Sequence, residues 1–171
     1  MIPGMQSLTE DEVESWLASC GMQKAPYDKP DTSFRGFYRH VRIPTGAAQR
    51  WGLGSSVVSG CGKFKEALLH FTDWDHYTPD QMAIIRAVLA GYGESRYLIE
   101  VPGQVFRSTE GDLLAGLFGL CITFQWSAYL YMESGPTFLA WEGVFMDMWI
   151  LKRRQKRRLY QWIDPYVGPE G

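Results

Sequence analysis

Cysteine is scarce in this sequence: Cys20, Cys61 and Cys121, an odd number set far apart. That excludes a disulfide framework and zinc-type ligand spacing, and it reads all three as reduced, small core residues. Histidine is equally scarce, at His40, His70 and His76. No serine sits in a Gly-x-Ser-x-Gly context, which removes the usual nucleophile elbow. Long apolar runs are missing as well. The longest, Leu113 to Phe124, has 12 residues including two glycines and a threonine, whereas a membrane span needs about 20 apolar residues. It reads as a buried helix. The N-terminal MIPGMQSLTEDEVES is acidic and has no apolar signal run. These absences lead to the expectation of a soluble, cytoplasmic protein without a membrane partner.

What is present is ring and charge. The 171 residues suit one domain with a sizeable core, and hydrophobic residues make up 46% against 21% charged, a globular balance. Most of the seven Trp, nine Tyr and nine Phe read as core, with a few rings left for the surface, where aromatics dominate binding hot spots. Charge is uneven. Residues 1–151 carry 11 Lys/Arg against 17 Asp/Glu, whereas residues 152–171 carry six against two. An acidic body suits a basic partner and argues against general nucleic-acid binding.

The pattern along the chain predicts one α+β domain over 1–171. It has a mixed, mainly antiparallel sheet of about five or six strands, with helices packed mainly on one face. Thr9 and Glu12 form a capping box for a helix to Cys20, with Val13, Trp16 and Leu17 on its apolar side. Residues 22–35 read as a loop or arm. Strands are expected at 37–43, 65–73, 97–101, 128–133, 137–140 and 144–149, the Pro102-Gly103 pair bending the third before Val105 and Phe106. In the second, Ala67, Leu69 and Phe71 share one face and Leu68, His70 and Thr72 the other. Helices are expected at 47–58, weakened by Gly52 and Gly54, and after the Thr78-Pro79-Asp80-Gln81 start. A further one follows Ser108 or Thr109, and its Gly111, Gly116 and Gly119 suggest close packing on a sheet. Residues 152–163 form a basic terminal helix on a stem of Leu151, Leu159, Trp162 and Ile163.

Few motifs carry chemistry. Gly52-Leu53-Gly54 and Gly60-Cys61-Gly62-Lys63 mimic a phosphate loop, but Val57 and Phe64 stand where glycine and Ser/Thr are required, so turn glycines are the better reading. Asp73-Trp74-Asp75-His76 offers two carboxylates two apart plus an imidazole, the basis for an alternative as a metal-assisted enzyme through Asp73, Asp75 and His76. A strand-end turn is the plainer reading. Glu133 and Glu142 flank a hairpin at Ser134-Gly135-Pro136 and read as solvated charges rather than an acid–base pair. Lys152-Arg153-Arg154-Gln155-Lys156-Arg157-Arg158 supports a second alternative, a module binding nucleic acid or an acidic partner through the basic helix. A solvated helix, pairing with the acidic body, is favoured over that.

Three short motifs occur in order: Thr72-Asp73-Trp74; Glu100-Val101-Pro102-Gly103-Gln104-Val105-Phe106; and Trp126-Ser127-Ala128-Tyr129-Leu130. With them the chain resembles bacterial immunity proteins that partner polymorphic toxins, including those delivered by contact-dependent or type VI secretion. The resemblance spans about half the chain. It departs at Ser127, where an acidic residue is more usual, and at the basic tail. It implies a binder without catalytic residues or cofactor, which occludes the active site of a cognate toxin. The acidic and aromatic residues suited to a basic toxin cleft form two sets: Asp73, Trp74, Asp75 and Tyr77 at one strand end, and Glu133, Trp141, Glu142 and Asp147 around the hairpin.

Overall fold

A computed structural model describes residues 5–22, 24, 35–73 and 77–168. Among these the chain runs β1 (Gln6–Leu8), α1 (Glu10–Ser19), β2 (Phe37–Arg42), α2 (Ala47–Cys61), β3 (Glu66–Thr72), α3 (Pro79–Gly91), β4 (Gly103–Arg107), α4 (Gly111–Thr123), β5 (Ser127–Met132), β6 (Thr137–Trp141), β7 (Phe145–Ile150) and α5 (Arg153–Val167). The sheet has seven strands in the order β1-β4-β3-β5-β6-β7-β2, and every described pair is antiparallel. This is the expected α+β class with one strand more than the pattern suggested. The extra strand, β1, is three residues long and too short to show a period of two. The expected arm lies mostly outside the described residues.

Local chemistry sets the elements. Thr9 accepts from the Glu12 amide while Glu12 accepts from the Thr9 amide, and Thr78 and Gln81 repeat that reciprocal box at the start of α3. α4 differs from expectation. Ser108–Glu110 forms a 3-10 turn, and no side chain caps the helix that follows. The expected strand at 97–101 is also displaced. Leu98 to Glu100 turn, with Val101 N–H donating to Tyr97 and Leu98 carbonyls, and pairing begins only at Gly103. Gly103 is required there, because a Cβ would collide with the Val13 side chain of α1.

The two faces of the sheet bury different things. One meets α2, α3, α4 and α5 over Ala67, Leu69, Phe71, Phe106, Leu130 and Phe138. The other holds Leu68, Val105, Tyr129, Tyr131, Leu139 and Trp149, and α1 is the only described helix that joins it, through Val13, Leu17 and Trp16. Helices thus lie mainly on one face.

The glycines of α2 are not turn residues, with Gly62 at its C-terminal cap the exception (φ +79°). Gly52, Gly54 and Gly60 lie within the helix and mark close approaches. A Cβ on Gly54 would stand 2.5 Å from the Gly119 Cα of α4, one on Gly52 would meet the Tyr166 ring and one on Gly60 the Leu159 side chain, both of α5. The close packing expected of Gly119 is therefore against a neighbouring helix, not the sheet. α5 is anchored by Leu159, Tyr160 and Ile163, whereas Leu151 and Trp162, expected in its stem, are exposed. Cys121 is buried, and Cys20 and Cys61 are partly so.

Candidate functional site

The strand register brings five side chains into one row at an end of the sheet. Thr72 pairs with Ser127, Trp141 with Phe145, and Phe145 with Arg42, while the β5–β6 register, one step beyond Ala128 and Ala140, sets Ser127 opposite Trp141, and the Glu142 amide donates to Ser127 Oγ (3.2 Å). Residues directly opposite one another in antiparallel strands share a face. The row Thr72, Ser127, Trp141, Phe145 and Arg42 therefore ends the face opposite the main helices. Within it Trp141 and Phe145 are 39% and 40% exposed, and Val144 beside them is equally open.

The turns that end these strands are tightly held. Asp73, Gln125 and Glu142 have positive φ (58°, 64° and 47°), as does Gly143, a backbone region sparsely used by residues with a side chain. A Cβ on Gly143 would stand 2.8 Å from Gln125 Cα, so the β6–β7 turn rests directly on the α4–β5 turn. Tyr77 closes the structure from the α3 side. Its hydroxyl donates to the Thr72 and Ser127 carbonyls (3.2 and 3.3 Å), and its ring stacks on the buried Trp126 at 4.7 Å. Trp126 Nε1 in turn donates to Gln81 Oε1 (2.8 Å). The exposed rings thus stand on rigid supports, which lowers the ordering cost of binding.

The next row inward carries a buried carboxylate. Asp147 is 8% exposed, and its Oδ1 accepts from the Tyr38 hydroxyl (2.6 Å) and from His40 Nδ1 (2.7 Å). Burial, and then the bond to Asp147, push the Tyr38 phenol well above its ordinary range. The His40 ring stacks on Phe145 at 4.7 Å. On the same face, His70 is 1% exposed and donates from Nε2 to Glu10 Oε2 (2.9 Å), leaving Nδ1 buried without a partner. Burial pushes the His70 imidazole below its ordinary value, against an opposing pull from Glu10. Burial alone would raise the Glu10 carboxyl, but Lys24 and His70 outweigh it and hold the group low.

The two expected binding sets are regrouped. Asp73 and Tyr77 lie at the same sheet end as Trp141 and Glu142, because β3, β5 and β6 terminate together. Tyr77 is only partly exposed and fastens that end. Glu133 belongs to the opposite end, where its amide donates to the Glu66 carbonyl and Lys65 Nζ stands 3.5 Å away. Asp147 is tied down inside the sheet face and presents no free carboxylate. Trp74, Asp75 and His76 lie outside the described residues, so the Asp73, Asp75 and His76 trio has one described member. Among the described residues, no three His, Cys, Asp or Glu side chains cluster to hold a metal, and no helix is long and apolar enough to cross a membrane. Sequence reading missed Val144 and Phe145. Their signal was a hydrophobic pair in a hairpin turn beside Glu142-Gly143, where polar residues are usual. No family model, curated protein or solved structure matches the chain.

Proposed function

We propose that this chain is a protein-binding module that neutralises a cognate bacterial toxin by docking on it through the sheet end formed by Trp141, Val144 and Phe145. The observation that carries the binding reading is this exposed apolar cluster on rigid turns, bordered by Asp73 and Glu142. Aromatic anchors rimmed by acids suit a partner with a basic groove: the rings supply affinity and the carboxylates steer approach. The toxin as partner rests on the three sequence motifs and their resemblance to immunity proteins. Trp126 and Ser127 of the third motif and Thr72 and Asp73 of the first meet at this end, which links the motifs to the exposed rings.

Co-expression with the product of a neighbouring toxin gene tests the proposal. The intact chain restores growth, and Trp141→Ala with Phe145→Ala abolishes the rescue while leaving the fold intact by circular dichroism. Growth restored equally by the double variant would refute the site.

A further inference from the structure

The opposite charge pole also has a shape. α5 begins with six cations in the seven residues Lys152 to Arg158, and its first turn has no acidic residue and no side-chain cap. Cations there oppose the helix dipole, each at a cost of roughly 0.3–1 kcal/mol. Neither Arg153 nor Arg157 makes an ion pair among the described residues. Instead Arg153, Lys156 and Arg157 line an open cleft of about 590 Å³ between α5 and β2, floored by Phe37 and Tyr160 and closed by Gln161 and Asp164. The cleft is braced from below. Arg39, buried on β2, donates to Asp164 Oδ1 (2.7 Å) and to the Gly168 carbonyl, and its guanidinium lies 4.3 Å from the Tyr160 ring centre. Lys156 Nζ stands 4.9 Å from the Phe37 ring and 5.1 Å from that of Tyr160.

We propose that this cleft binds an acidic peptide segment, whose carboxylates are taken by Arg153 and Arg157. The two guanidinium groups lie one helical turn apart on the cleft side and offer paired donors in the geometry that carboxylates match. A single-stranded nucleic acid fits less well. Tyr160 is buried beneath Arg39 and Lys156 and offers no face for base stacking, and the remainder of the chain is acidic and repels a long polyanion. A lone small anion fits less well too. The cleft is open to water, where a single exposed ion pair contributes at most about 1 kcal/mol. Carboxylates linked in one chain gain by effective concentration what each lacks alone. The cleft is separate from the sheet end bearing Trp141 and Phe145, so its occupant is a second contact.

The probe is fluorescein-labelled hexaglutamate, followed by anisotropy at low salt with the full chain. Binding is expected, and Arg153→Gln with Arg157→Gln should weaken it tenfold or more. Lys152→Gln with Arg154→Gln removes equal charge outside the cleft and should weaken it less than threefold. Relief of the helix N-terminus means the first pair should fold at least as well as the parent, checked by thermal melting. Trp141→Ala with Phe145→Ala should leave hexaglutamate binding unchanged, which separates this site from the sheet end. Equal losses in the two charge pairs would overturn the site in favour of diffuse attraction. Tighter binding of an oligothymidylate, or displacement of hexaglutamate by equimolar inorganic phosphate, would overturn the peptide assignment.

Discussion

Among the described residues the helix-covered face of the sheet holds one buried charge, Arg39, amid alanine, leucine, methionine and phenylalanine, whereas the other face buries His70, Asp147, Tyr129, Tyr131 and Trp149 together. Both faces are well buried over most of their area, so exclusion of water does not distinguish them. Specificity of contact does. Apolar packing against α2, α4 and α5 depends on volume and close approach, and it stabilises without directing anything outward. On the polar face the Tyr38 and His40 bonds to Asp147 and the His70 bond to Glu10 fix side-chain direction, and its last row ends in rings open to solvent. One face accounts for stability, and the other orients the exposed rings of the proposed docking surface.

The largest effect belongs to the helix face. Gly54→Val forces a side chain into the Gly119 backbone and should lower stability by about 3 kcal/mol or more, read by chemical denaturation. Arg39→Met leaves Asp164 without its partner. The expected loss is about 2–3 kcal/mol, below that of a fully buried pair because Asp164 is partly open to water. On the polar face, Asp147→Ala strips the acceptor from Tyr38 and His40 and should cost about 1–3 kcal/mol. If Asp147→Ala proved costlier than Gly54→Val, the assignment of stability to the helix face would be reversed.

Proton linkage sharpens the same contrast. The folded-state pKa of His70 lies below its ordinary value of 6.5, so the unfolded chain takes up a proton in a range where the folded chain does not. Stability should therefore fall as pH drops below about 6.5. Glu10, whose folded pKa lies below its ordinary 4.5, adds a further loss at lower pH. His70→Gln should flatten the fall between pH 7 and 5 in urea titrations. An unchanged slope would show that the polar face is not its source. The smallest stability effect is expected at the rim, where the loss of the cross-strand pair makes Trp141→Ala and Phe145→Ala each cost about 1 kcal/mol.

Much of this division was legible in the chain. The alternation of Ala67, Leu69 and Phe71 with Leu68, His70 and Thr72 separates the two faces correctly, and the Thr9 and Thr78 boxes mark their helix starts. The strand after Tyr97 was misplaced because Tyr97 to Val101 has strand-like composition, while the need to pass Val13 selects Gly103 as the first paired residue. The glycines of α2 resembled turns because propensity sees no neighbouring helix, and only the approach of Gly119, Tyr166 and Leu159 explains them. The candidate site was half legible. Asp73, Trp141 and Glu142 were picked from composition, but their meeting depends on register between strands more than 50 residues apart in sequence. The same register sends Glu133 to the other end and Asp147 inward.

The most direct test of the proposed function is the dissociation constant between this chain and the product of a neighbouring toxin gene, measured for the parent and for Trp141→Ala with Phe145→Ala at matched thermal stability. The account predicts weakening of a hundredfold or more. Affinities within twofold of each other would contradict it.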